Sequence, residues 1–164
     1  MSSCVQLVIR IVFLYACWMA MMAVHELGHV LHAWLSGGQI ERVILPWVGF
    51  SRTDLSHNPH PLFVAWGGAL WGCLIPPFLF AVVAVGRSRL TKWVQFFAGF
   101  CLVANGAYLA AGAFLAAGDA GDLMRHGAPS WLLVASGTLG TVAGLFLWHL
   151  LGLRKPPTRA CGGG

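Results

Sequence analysis

Four apolar stretches, each long enough to cross a bilayer, constrain this chain more than any other feature of its sequence. They run over about residues 5–35, 62–85, 93–117 and 131–151, and each meets the roughly 20 residues that a spanning helix requires. In lipid a lone segment of this kind must be helical, because only local hydrogen bonds satisfy its backbone without water. The expected fold is therefore an all-α membrane protein with about four transmembrane helices in a single domain, residues 1–152, followed by a polar flexible tail at 153–164. Composition agrees: with 58% hydrophobic and 9% charged residues, the chain has too little polar surface to cover a soluble globule of its length. Arg10 ahead of the apolar run at 11–24 also fits a signal peptide, but the apolar helical pattern continues past Ala23 to Leu35, so the first span is read as retained.

The short hydrophilic gaps carry most of the charge. The net charge is +5, yet Lys and Arg are scattered through these gaps and form no basic face, so nucleic acid is not an expected partner. The five cysteines, at 4, 17, 73, 101 and 161, stand singly without a Cys-x-x-Cys, which argues against a zinc ribbon or a dithiol centre. In the first gap, residues 39–50 are rich in β-branched and aromatic side chains between Gly37-Gly38 and Ser51. They read either as a short interfacial β-hairpin or as an irregular loop anchored by Trp47 and Phe50. Alternating connectivity collects Arg10, Arg87, Arg89, Lys92, Arg154, Lys155 and Arg159 on one side of the membrane and Arg42, Arg52 and Arg125 on the other. This asymmetry favours cytoplasmic termini, although around the first helix alone the contrast, Arg10 against Arg42 and Arg52, runs the other way.

Chemistry enters inside the first span, at His25-Glu26-Leu27-Gly28-His29. Residues four apart on a helix project from nearly the same face, so His25 and His29 can meet one tetrahedral zinc, with Glu26 beside it to act on water. An ionisable residue within a span costs about 2.5–3.5 kcal/mol to insert and needs a compensating role. Glu26 is one of only two glutamates in the chain. Candidates for a third ligand are His32, His57, His60, Asp119, Asp122, His126 and His149. His32 lies about 300° around the helix from His29 and points elsewhere; His57-Asn58-Pro59-His60 reads as a turn; His149 lies near the opposite surface. The acidic pair Asp119 and Asp122 is favoured, because it follows the third span on the side where the first span ends. Its alternative reading is a solvated turn built from Gly and Asp. Asp119 lies 26 residues beyond Trp93 whereas His29 lies only 19 beyond Arg10, a difference of about 10 Å along a helix. The third span must therefore tilt, kink or fold back, for which Asn105-Gly106, Gly112 and Gly118 offer places.

With these residues the chain resembles the site-2 protease family of intramembrane zinc metalloproteases, in its small single-domain form. The resemblance rests on His25-Glu26-Leu27-Gly28-His29 in an apolar helix, and on a downstream segment with Asn105 and then Gly118-Asp119-Ala120-Gly121. Members commonly carry Asn-x-x-Pro and Leu-Asp-Gly; here no proline follows Asn105 closely and Ala120 follows Asp119. The resemblance implies a core over about residues 5–125, with the fourth span outside the three-helix unit. It implies zinc held by His25, His29 and Asp119, with Asp122 the alternative third ligand, and Glu26 as general base. The substrate it implies is a transmembrane protein whose spanning segment unwinds locally and lies against a strand from residues 39–50, with Asn105 contacting the substrate backbone or the oxyanion. The family orientation puts the zinc in the cytoplasm-facing half of the bilayer of an inner or plasma membrane. A second function class is a non-catalytic zinc-containing membrane scaffold that binds partner helices. An ion conduit is disfavoured because the second and fourth spans are almost devoid of polar residues. Oligomeric state is not set by these features.

Overall fold

A computed structural model describes residues 3–153 of the chain; the expected polar tail from residue 154 onward lies outside the described residues. The elements are α1 (Ser3–Leu35), β1 (Gln39–Ile44), β2 (Arg52–His57), α2 (Pro61–Val85), α3 (Thr91–Leu115), α4 (Gly118–Arg125) and α5 (Ser130–Leu153). Of these, α1, α2, α3 and α5 are long and apolar enough to cross a membrane. Pro76 and Pro77 lie inside α2 without ending it, a tolerance common in spanning helices, where neighbours re-satisfy the freed backbone groups.

Apolar helices in lipid gain nothing from mutual hydrophobicity, so their association depends on close packing, often of small residues. Gly28 of α1 faces Gly67 of α2 so closely that a Cβ on either would collide with the other's carbonyl. Along α3 and α5 the same device occurs twice: Gly99 meets Gly144 and Gly106 meets Gly137. Both helices space these glycines at seven residues, two turns, so an antiparallel pair stays in register across both contacts. One apolar cluster joins Ala65 and Ala69 to Leu109, Ala120, Leu123 and Leu133; another joins Met21 and Met22 to Cys101. These clusters draw α1, α2, α3 and α4 together with the start of α5 at Leu133, and α5 packs along α3 for the rest of its length.

The two strands form an antiparallel hairpin with Ile40 opposite Leu55, Arg42 opposite Asp54 and Val43 opposite Thr53. Within residues 39–50 only the first half is strand; residues 45–51 connect it to β2, whose sequence RTDLSH is polar and gave no apolar signal. The hairpin runs back along α1. Gly38 N–H donates to the Ala33 carbonyl at 2.8 Å near the helix end, while the Trp47 carbonyl at the tip accepts from the Tyr15 hydroxyl at 3.0 Å. From Leu35 to Tyr15 is about 30 Å of helix.

The loop expected between the third and fourth spans contains a helix instead. α3 ends at Leu115, where Ala116 takes the left-handed conformation and Ala117 N–H closes onto the Gly112 carbonyl at 3.2 Å, a common way of satisfying a helix C-terminus. Gly118 follows with φ of 57°, and the Tyr108 hydroxyl occupies the space a side chain there would need. The chain thereby folds back, and α4 packs against α2 and α3. Asp119 in its first turn and Arg125 in its last complement the helix dipole.

Candidate metal centre

His25 and His29 project from one face of α1, and hydrogen bonds to their Nδ1 atoms fix how each ring is protonated. His29 Nδ1 lies 2.8 Å from the Val64 carbonyl, which can only accept, so the Nδ1 carries the proton. His25 Nδ1 lies 2.6 Å from Asn105 Oδ1. Asn105 Nδ2 donates to the Cys101 carbonyl at 2.9 Å, which assigns Oδ1 to the acceptor side and again puts the proton on the imidazole Nδ1. In both neutral rings the Nε2 lone pair is therefore free, and the two Nε2 atoms face each other at 3.2 Å. Metal-binding histidines are commonly oriented in this way, by donating the other ring N–H to a carbonyl.

Asp119 completes the group from α4. Its Oδ2 lies 2.7 Å from His25 Nε2 and 3.4 Å from His29 Nε2. Two lone pairs and a carboxylate thus converge, an arrangement that repels itself unless a cation or a proton sits among them. Atoms on one tetrahedral zinc at about 2.0–2.1 Å stand about 3.3 Å apart; two of the three edges here, 3.2 and 3.4 Å, are close to that and the third, 2.7 Å, is shorter. Gly68 of α2 lies against both Nε2 atoms, where a Cβ would collide with them. The His25, His29 and Asp119 group can hold a metal ion, and its donor set fits zinc.

Glu26 is 2% exposed and lines the same cavity, of about 570 Å³. Ser51 Oγ donates to its Oε1 and Thr53 Oγ1 to its Oε2, each at 2.6 Å. Its wall includes the apolar side chains of Trp18, Met21, Met22 and Phe50 and the polar ones of Asp54, Asn58, Asp122 and His126. Arg52, the basic residue in its wall, lies 3.3 Å from Asp54. Glu26 has no ion pair among the described residues.

The remaining candidates separate clearly. Asp122 bonds Arg125 on its own helix and its side chain is 47% exposed, at the cavity rim and away from the imidazoles. His32 Nδ1 bonds the Phe63 carbonyl at 2.6 Å and its Nε2 accepts from Trp71 at 3.1 Å, so it ties α1 to α2. His57, His60 and His149 are exposed, and His126 bonds the Asp122 carbonyl at 2.8 Å. Asn105, expected as a contact for substrate or oxyanion, directs its amide to His25 and Cys101 and thereby orients the His25 ring. Ser51, Thr53 and Gly68 were not foreseen. The two hydroxyls sit two residues apart, the spacing of one strand face, and only the position of Glu26 opposite them gives that spacing meaning.

Comparison with protein-family models, with curated proteins and with solved structures finds no match to this chain.

Proposed function

We propose that this protein is an intramembrane zinc metalloprotease of the site-2 protease type, hydrolysing peptide bonds in or near transmembrane segments of other membrane proteins. The observation that carries the reading is the convergence of His25 Nε2, His29 Nε2 and Asp119 on one point, in a cavity that also contains a buried, unpaired-by-cation Glu26. Bound zinc supplies Lewis acidity to water and to a peptide carbonyl within the cavity. Glu26 is placed to take a proton from the attacking water and return it to the leaving amine. Asn105 and the Val64 carbonyl hold the two imidazoles in the tautomer that leaves Nε2 free. The apolar side chains in the cavity wall suit those of a spanning segment, and β2 forms part of the wall. A strand so placed supports an extended substrate by edge pairing, after the substrate has unwound.

The test uses the purified full chain in detergent, with fluorescently labelled casein as an extended probe that needs no unwinding. About one zinc per chain and chelator-sensitive cleavage are expected. Replacing both His25 and His29 by Ala should abolish zinc binding, and Glu26→Gln should keep zinc while losing cleavage by at least about 100-fold, within the usual range for a general base. Undiminished cleavage by Glu26→Gln, or none by the wild type, would leave the zinc-containing scaffold as the better description.

A further inference from the structure

Glu26 receives both of its hydroxyl hydrogen bonds from the hairpin: Thr53 is the second residue of β2 and Ser51 immediately precedes the strand. Residues two apart on an extended segment point to one side, so the hairpin presents both hydroxyls to the carboxylate together. Two hydroxyls on two oxygens fix the plane of the carboxylate, which a single bond would leave free to rotate. The converse also holds. Along α1 the hairpin is tied near one end by Gly38 to Ala33 and at its tip by Trp47 to Tyr15, and Glu26 supplies the side-chain anchor between them. Hydrogen bonds to a charged, buried acceptor are among the stronger ones, and leaving that acceptor bare is costly.

We propose that Ser51 and Thr53 are positioning residues for Glu26, and that the same two bonds seat the hairpin on α1, so that the base is oriented only when the hairpin is docked. Displacing the hairpin then disarms the site without touching the zinc ligands. The activity arm of this inference rests on the hydrolytic reading of the site; the docking arm does not.

Both arms use the full chain in detergent. For activity, Thr53→Val removes a hydroxyl at nearly constant shape, Thr53→Ser restores it, and labelled casein is the probe. Thr53→Val is expected to lower kcat about tenfold or more with KM and zinc content unchanged, and Thr53→Ser to recover most of the loss. Wild-type kcat in the Ser51→Ala, Thr53→Val double variant, or a Thr53→Ser loss as deep as that of Thr53→Val, would overturn the positioning role. For docking, amide hydrogen exchange over residues 39–57 is followed in zinc-loaded protein. Glu26→Ala should exchange faster there by about tenfold, while Glu26→Gln, whose amide still bonds both hydroxyls, should stay near wild type. Unchanged exchange in Glu26→Ala would overturn the docking role, whether or not the protein cleaves anything. If the wild type is inactive, the hydrolytic reading fails and the exchange result alone decides the anchor.

Discussion

Asp119 and Asp122 stand three residues apart on α4, yet one faces two imidazoles and the other an arginine in solvent. Their chemistry is identical, so direction alone separates them. Asp119→Asn replaces a carboxylate by a neutral, weaker donor and should weaken zinc binding by about 100-fold or more, the upper range for loss of a mere supporting group. Asp122→Asn removes a surface ion pair and should change affinity by less than about fivefold, as such pairs contribute at most about 1 kcal/mol. Competition titration with a zinc chromophore distinguishes them, and the reverse ranking would move the ligand role to Asp122. At this scale the motif made His25, Glu26 and His29 legible in the sequence, because i, i+4 spacing fixes direction on a helix. Asn105 and Val64 were beyond reach as partners, since their contacts with α1 span long separations and no local pattern encodes them.

Secondary elements were readable in proportion to their apolar content. The four spans announce themselves, and the observed helices Pro61–Val85 and Thr91–Leu115 lie within two residues of their expected limits. α4 does not announce itself: Gly-Asp-Ala-Gly-Asp has the composition of a turn, and the helix exists because Leu123 and Ala120 are buried against Leu109 and Leu133. β2 is similarly quiet, being polar enough to resemble a loop. How the spans meet at glycines supports a prediction. Gly67→Val should push α1 from α2, costing on the order of 1–3 kcal/mol for overpacking. It should also weaken zinc binding, because α2 carries the Val64 carbonyl that orients His29. Gly137→Val, on the α3–α5 seam, should destabilise to a similar degree while leaving zinc affinity within about twofold. Thermal unfolding in detergent, paired with zinc titration, separates the two; equal zinc loss in both variants would mean that the seams are not independent.

For the molecule as a whole, four crossings would put the start of α1 and the end of α5 on the side opposite the candidate metal centre. The sum of charges over the sequence favours cytoplasmic termini, whereas the charges flanking α1 and the family resemblance favour the reverse. The first helix usually dominates, so the expected orientation has the termini outside and the centre in the cytoplasm-facing half. A chain retaining only Cys161, outside the described residues, with Cys4, Cys17, Cys73 and Cys101 replaced by Ser or Ala, should react in intact cells with a membrane-impermeant thiol reagent, provided the outer surface is accessible. Protection of Cys161 until lysis would invert the molecule.

A two-stranded sheet leaves one edge of each strand without partners, and in β2 that unpaired backbone belongs to a strand lining the cavity. A spanning helix that frays surrenders about one internal bond per residue, an expense of several kcal/mol for each amide stranded in hydrocarbon. Beside β2 the stranded groups would find acceptors and donors already oriented at strand spacing. Fraying there is an exchange of partners rather than a loss of them. If the protein cleaves spanning segments as proposed, those that exchange most readily would be the ones whose residues favour extended backbone, with Val, Ile and Thr ahead of Ala and Leu.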